Sequence, residues 1–300
     1  MSEFIIDFLR EQNIEYAENI KVSTISTVKI GGMARVIVYP KTEAELIGVL
    51  RYSTREGIAH RVIGGASNVL FCDGEINTLL ICTRRLRNIK LTDGFAYSDC
   101  GVTLAALFRS AMAEGLCGFE ELLGIPGTVG GAVFGNAGAF GKSISDLAVS
   151  ARVYDASTDT VFELTKSECD FAYRRSRFQK SRETVLSVKF KFCNNKCGCA
   201  SERAEKFQIL RAEGQPVGVP SLGCTFKKAE GYSAGELIDK CGLKGHRIGG
   251  AQISEKHAGF IVNVGGATAK DYMALCYLSK KCVFERFHIM LEPEIRFITY

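Results

Sequence analysis

Three hundred residues, 46% hydrophobic and 24% charged, describe an ordered chain long enough for about two or three compact units. The net charge of +5 is mild and the Lys and Arg residues are scattered, which argues against a nucleic-acid partner and suits an anionic small molecule. No window approaches 18 uninterrupted apolar residues, and Met1-Ser2-Glu3-Phe4 lacks a basic region followed by an apolar one, so the expectation is a cytoplasmic protein without membrane insertion.

Residues 3 to 12 and 43 to 57 carry apolar positions at helical spacing, and Ala34–Val38 and Arg61–Ile63 read as strands. Two glycine turns, Lys29–Ala34 and Ile63–Leu70, lie among them. The second follows a strand but lacks the Gly-x-Gly-x-x-Gly spacing before a helix, which disfavours a Rossmann domain. Residues 103 to 114 predict an amphipathic helix with Thr103 as N-cap, ending near Gly115.

Gly124–Gly141 packs seven glycines into eighteen uncharged residues. The composition makes a poor helix and a poor sheet core. Bare N–H groups there suit a diphosphate, and a turn-rich loop between strands is the alternative. Beyond it, Val149–Asp155, Val161–Leu164 and Thr184–Phe192 read as strands, with a turn at Asp155–Thr158. Ser201–Gly214 predicts a helix near a boundary at 193 to 215. Tyr232–Cys241 and Lys270–Phe287 predict helices around a strand at Gly259–Val264, and Glu294–Thr299 a last strand.

Twelve cysteines without an export signal are expected to be reduced thiols. Cys193, Cys197 and Cys199 cluster, but without paired Cys-x-x-Cys spacing or a nearby histidine they predict a surface turn and no metal.

Four further segments are more polar than a core requires: Tyr173–Phe178 with three arginines, Pro220–Lys227 with a thiol after a glycine, Lys244–Asn263, and Leu291–Phe297 with a carboxylate on an alternating strand. With Ile30-Gly31-Gly32, Gly64-Gly65-Ala66-Ser67-Asn68, Ile125–Ala132 and Asn136–Gly141, these motifs stand in register over Ser23 to Phe297. In that order they resemble the UDP-N-acetylenolpyruvoylglucosamine reductase family, in its smaller type without an extra substrate loop.

The resemblance implies an α+β chain, with an FAD-binding fold of the PCMH and vanillyl-alcohol-oxidase type in two subdomains, followed by an α+β substrate-binding domain. The boundaries it implies are 1–84, with 286–300 returning to the flavin domain, then 85–200, then 201–285. FAD would lie along Ile63, Gly64, Gly65, Ala66, Ser67, Asn68 and Val69, and along Pro126, Gly127, Thr128, Gly130, Gly131 and Ala132. Related oxidases often carry a flavin-linking histidine where this chain has Ala66, so the FAD is expected to be noncovalent. NADPH would be the co-substrate and UDP-N-acetylglucosamine enolpyruvate the substrate, reduced by a monomer in peptidoglycan precursor synthesis.

The resemblance carries three catalytic roles onto Arg174, Cys224 and Glu294. Arg174 would spread charge on the substrate carboxylate, Cys224 would give the proton, and Glu294 would act as a protonated acid beside the developing enolate. The family usually has serine where Cys224 stands. A free thiol ordinarily titrates near about 8.5 and is a competent donor at neutral pH. Tyr173, Lys227 and Gln252 are the candidate substrate contacts. Lys228-Ala229 departs from the family's usual Asn-Pro, and Ala66 replaces a more usual glycine. A flavin oxidase of the same fold and a nucleotide-binding module without turnover are the rival readings.

Overall fold

The computed structural model describes residues 3–194, 198–229 and 231–298. Two compact units account for the chain. The first comprises residues 1–18, 36–65 and 78–209, the second 19–35, 66–77 and 210–300.

In the first unit, helix α1 (Glu3–Glu11) buries Ile5 and Leu9 at i and i+4. Helix α2 (Glu43–Arg55) begins at Thr42, whose hydroxyl accepts from Glu45 N at 3.1 Å, and buries Leu46, Val49 and Leu50. Both lie where the apolar spacing predicts them. A parallel ladder joins His60–Ile63 to Leu79–Cys82. The latter strand is apolar and buried along its whole length, as a strand covered on both faces must be.

An antiparallel sheet of five strands follows, in the order 160–165, 148–155, 183–191, 95–99, 89–92. Helix α3 (Leu104–Ala113) is N-capped by Thr103 as expected, the hydroxyl accepting from Ala106 N at 3.1 Å. Phe108, Phe119 and Phe192 form an aromatic core, with Phe108 and Phe119 stacked at 4.6 Å.

Gly124–Gly141 is not helix-free. Val129–Gly135 forms helix α4, capped by the Thr128 hydroxyl and ended by Asn136 in the left-handed region at φ 42°. The cap, together with burial of Val129, Ala132 and Val133, outweighs the low helix propensity of three glycines. Helix α5 (Ala200–Gly214) then matches the charged segment expected to be helical.

The second unit is built on an antiparallel sheet ordered 221–224, 260–263, 251–253, 247–248. Helix α6 spans Ala234–Lys240 and helix α7 Ala269–Phe287. Tyr232 stays outside α6 because its backbone pairs with Ala229 in both directions, at 2.8 and 3.1 Å. α7 starts from a capping box between Thr268 and Asp271, and the Asp73 carboxylate accepts from Ala269 N at 2.6 Å and Lys270 N at 3.1 Å. The last strand, Arg296–Ile298, pairs in parallel with Val69–Phe71. Thr299, expected to end it, lies outside the described residues.

Ten cysteines are free among the described residues. Cys199 is disulfide-bonded, which corrects the expectation of uniformly reduced thiols, and Cys197 lies outside the described residues.

Candidate active site

The first unit brings two glycine turns against each other. A Cβ at Gly64 would lie 2.1 Å from Thr128 Oγ1, and one at Gly65 would lie 2.9 Å from Gly127 Cα. Side chains at either position would force the turns apart. What remains is a strip of bare, uncharged backbone of the kind a diphosphate-bearing cofactor lies along.

Not every N–H in the strip faces outward. Val129 N donates to Val102 O and Gly130 N to Cys100 O, each at 2.8 Å, while Ala132 N donates to Thr128 O at 2.8 Å and Gly131 N to the Thr128 hydroxyl at 3.4 Å. Gly130, Gly131 and Ala132 therefore hold the shape of the turn with their N–H groups. In the second unit the turn continues through Ala66, Ser67, Asn68 and Val69. Ala66 is buried with φ 49°, a left-handed conformation that glycine adopts more easily. Asn68 Nδ2 donates to the Glu294 carbonyl at 3.1 Å, and Arg296 N donates to the Asn68 carbonyl at 2.9 Å.

Arg174 stands at the tip of a tight reversal in the first unit. Ala172 and Arg175 exchange backbone hydrogen bonds of 3.0 and 3.1 Å, and Arg174 takes φ 52°. Its Nη2 donates to the Gly138 carbonyl at 2.8 Å and its guanidinium sits 5.2 Å from the ring of Tyr173, itself 52% exposed. Arg175 and Arg177 are committed elsewhere, to Asp170 at 3.4 Å and Glu183 at 2.6 Å. Three side chains clamp the reversal to the Gly124–Gly141 segment. Asn136 Nδ2 donates to Ala172 O at 2.9 Å, Ser176 Oγ donates to Phe134 O at 2.7 Å, and Gln179 Nε2 donates to both Phe134 O and Arg174 O at 3.0 Å. Gln179 was not singled out by the sequence, because a Gln after a basic turn carries no motif of its own.

In the second unit Cys224 ends the strand Ser221–Cys224 opposite Phe260, with a half-buried thiol. The next residues run beside the Glu292–Glu294 segment. Glu294 N donates to the Thr225 carbonyl at 2.8 Å and Lys227 N to the Glu292 carbonyl at 2.9 Å. Cys224 and Glu294 are thus held near one another by main chain. Thr225 is fully buried and its hydroxyl meets Tyr272 Oη at 3.0 Å. Lys227 is already ion-paired with Glu292 at 2.5 Å.

Arg211, near the end of α5, is a further cation that the sequence did not mark. Burial pushes its pKa down, and the neighbouring Cys224 pushes it back up. Gln252 donates to the Gly245 carbonyl at 3.0 Å and lines an open cleft of about 570 Å³ with Ala212, Val219, Ser254, Lys256 and Val262. Among the described residues no three His, Cys, Asp or Glu side chains are grouped to hold a metal, and no helix is long and apolar enough to cross a membrane.

The profile of the FAD binding domain family matches residues 34–165. With the bare strip at Gly64, Gly65 and Gly127, it defines an FAD-binding protein of the PCMH and vanillyl-alcohol-oxidase-type fold. The profile of the UDP-N-acetylenolpyruvoylglucosamine reductase C-terminal domain matches residues 215–298. A UDP-N-acetylenolpyruvoylglucosamine reductase from Caldicellulosiruptor bescii is 42% identical over 97% of this chain and 93% of its own length, and one from Latilactobacillus sakei is 38% identical over 96% and 94%. The crystal structure of the enzyme of that name from Thermus caldophilus superimposes with a TM-score of 0.81 at 32% identity, covering 95% of this chain and 98% of the other. The chain belongs to the UDP-N-acetylenolpyruvoylglucosamine reductase family.

Proposed function

We propose that this chain reduces UDP-N-acetylglucosamine enolpyruvate to UDP-N-acetylmuramate in peptidoglycan precursor synthesis, as a cytoplasmic monomer that uses NADPH. The observation that carries the reading is the main-chain pairing that sets Thr225, the residue after Cys224, beside Glu294, because a proton donor and an acid are what reduction of an enol ether needs. FAD, held noncovalently along Ile63–Val69 and Pro126–Ala132, supplies two-electron chemistry between NADPH and the enol ether when bound.

Once a hydride has reached C3 of the enolpyruvyl group, negative charge builds at C2 and on the adjacent carboxylate. Arg174 grips that carboxylate through its fork of donors. A protonated Glu294 side chain donates a hydrogen bond to the same developing enolate; as a carboxylate it would repel it. The Cys224 Sγ–H bond breaks, its proton forms the new C2–H bond, and the electron pair stays on sulfur as thiolate. Solvent then returns a proton to the sulfur. Lys227 meets the diphosphate after leaving Glu292, and Gln252 and Tyr173 contact the rest of the nucleotide sugar. Arg211 adds a second cation on the Cys224 side.

Anaerobic half-reactions test the reading. NADPH should bleach the flavin absorbance, and UDP-N-acetylglucosamine enolpyruvate alone should restore it. Restoration by oxygen alone would leave a flavin oxidase, and a colourless protein that takes up no supplied FAD would leave a binding module.

A further inference from the structure

Cys117 and Cys193 stand directly opposite one another in the antiparallel ladder of Leu116–Cys117 with Cys193–Asn194. Opposed residues in such a ladder keep their Cα atoms roughly 4.5–5.5 Å apart, within the span that a disulfide bridges. Both thiols are free; Cys193 is exposed and Cys117 half-buried. A Cβ at Gly118 would lie 3.5 Å from Cys193 Sγ, which places that sulfur beside the residue that follows Cys117. Glu120, 2% exposed, accepts from Gly118 N through both oxygens at 3.1 Å, and Arg203 faces Glu120 at 3.8 Å and Glu121 at 2.7 Å. Burial raises the Cys117 thiol most, Glu120 and Cys193 raise it further, and Arg203 and Lys142 oppose them. The two cysteines therefore differ in access. Neither has a part in the reduction proposed above.

We propose that Cys117 and Cys193 are a reversible redox pair, in which exposed Cys193 reacts with a low-molecular-weight disulfide and Cys117 resolves the adduct. The Cys193 thiolate attacks one sulfur of the small disulfide, the S–S bond breaks, and one small thiolate leaves and takes up a proton. Cys117 then loses its proton and attacks the Cys193 sulfur, expelling the second small thiolate, which is protonated in turn. Two protein thiols are oxidised by two electrons, and the small disulfide is reduced to two thiols. The new bond ties the ladder just before α5 and closes the chain from 117 to 193, which restricts the unfolded state.

Purified full-length protein equilibrated in oxidised and reduced glutathione, acid-quenched, digested and analysed by mass spectrometry tests the pair. A peptide linked through Cys117 and Cys193 is expected under oxidising ratios and is lost on reduction. The melting temperature should rise with it by about 5 °C. In C117S, Cys193 should persist as its glutathione adduct and the rise should vanish; C193S should lose both the link and the rise. Glutathione retained on Cys193 in the unsubstituted protein without a link to Cys117, or a link from Cys193 to Cys197 or Cys199 instead, would overturn the assignment.

Discussion

Glu294 donates its backbone N–H to the carbonyl of Thr225 at 2.8 Å, and Thr225 follows Cys224 directly. Two residues seventy positions apart are thereby fixed by main chain, which does not depend on which side chains they carry. A serine-to-cysteine exchange at 224 is the sort of change this scaffold absorbs, because the strand and its partner stay in place while one acid replaces another.

C224S should therefore remain within about tenfold of the unsubstituted turnover, whereas C224A should lose about 10²- to 10⁴-fold, the usual worth of a positioned general acid. Only the thiol form donates, so unsubstituted activity should fall as rising pH ionises the thiol, and C224S should lack that limb. Iodoacetamide inactivation read alongside the pH profile checks the same point. Equal sensitivity to the reagent in C224S would refute the donor assignment.

Arg174 owes its place to neighbours as much as to its own sequence. Gln179 holds the Phe134 and Arg174 carbonyls together at 3.0 Å each, so Q179A should loosen the reversal that presents the guanidinium. Misplacement of a positioning contact by about 1 Å costs on the order of 10²-fold. Stopped-flow traces should show reoxidation by the enolpyruvyl substrate slowed by about 10- to 100-fold and bleaching by NADPH unchanged. Slowing of both phases alike would point to general loosening of the unit.

The bare strip tolerates no side chain at Gly65, where an added Cβ would sit 2.9 Å from the Gly127 Cα, a backbone atom that cannot swing aside. G65A should destabilise the protein by about 1–3 kcal/mol, as overpacking does, and weaken FAD binding at least about tenfold. Released flavin fluorescence and a thermal melt on one sample check both. At the adjacent Ala66, φ 49° excludes β-branched residues, so A66V should cost at least about 2 kcal/mol while A66G is neutral or stabilising.

The long elements were legible because their apolar spacing is regular. Leu46, Val49 and Leu50 in α2 and Tyr272, Leu275 and Cys276 in α7 line the faces that their intervals predict. Strands such as Val69–Phe71 and Arg247–Ile248 are too short to show a period, and their pairing comes from residues far along the chain. α4 was hidden by its glycines, since a cap and a packed face are tertiary facts. At the site, Arg174, Cys224 and Glu294 were visible only as members of motifs in a fixed order. Gln179 and Arg211 belong to no such motif, and a hydrogen bond and a burial reveal them.

His257 ties the stability of the second unit to pH. It is half-buried, its Nδ1 accepts from Gly259 N at 3.0 Å, and Cβ atoms at Gly235 or Gly259 would come within 3 Å of its ring. Burial holds its pKa below the usual 6.5, with Lys244 adding to the effect and Asp239 opposing it. An unfolded chain binds that proton near pH 6.5 and the folded one only at lower pH. Its contribution is thus fully present above about pH 6.5 and is lost as pH falls toward the folded value. Urea midpoints taken from pH 7.5 down to 5.5 should decline in the unsubstituted protein, and H257Q should show a shallower decline from a lower starting point, because glutamine fills the ring space poorly but does not titrate. Parallel declines in the two proteins would assign the acid sensitivity to other groups.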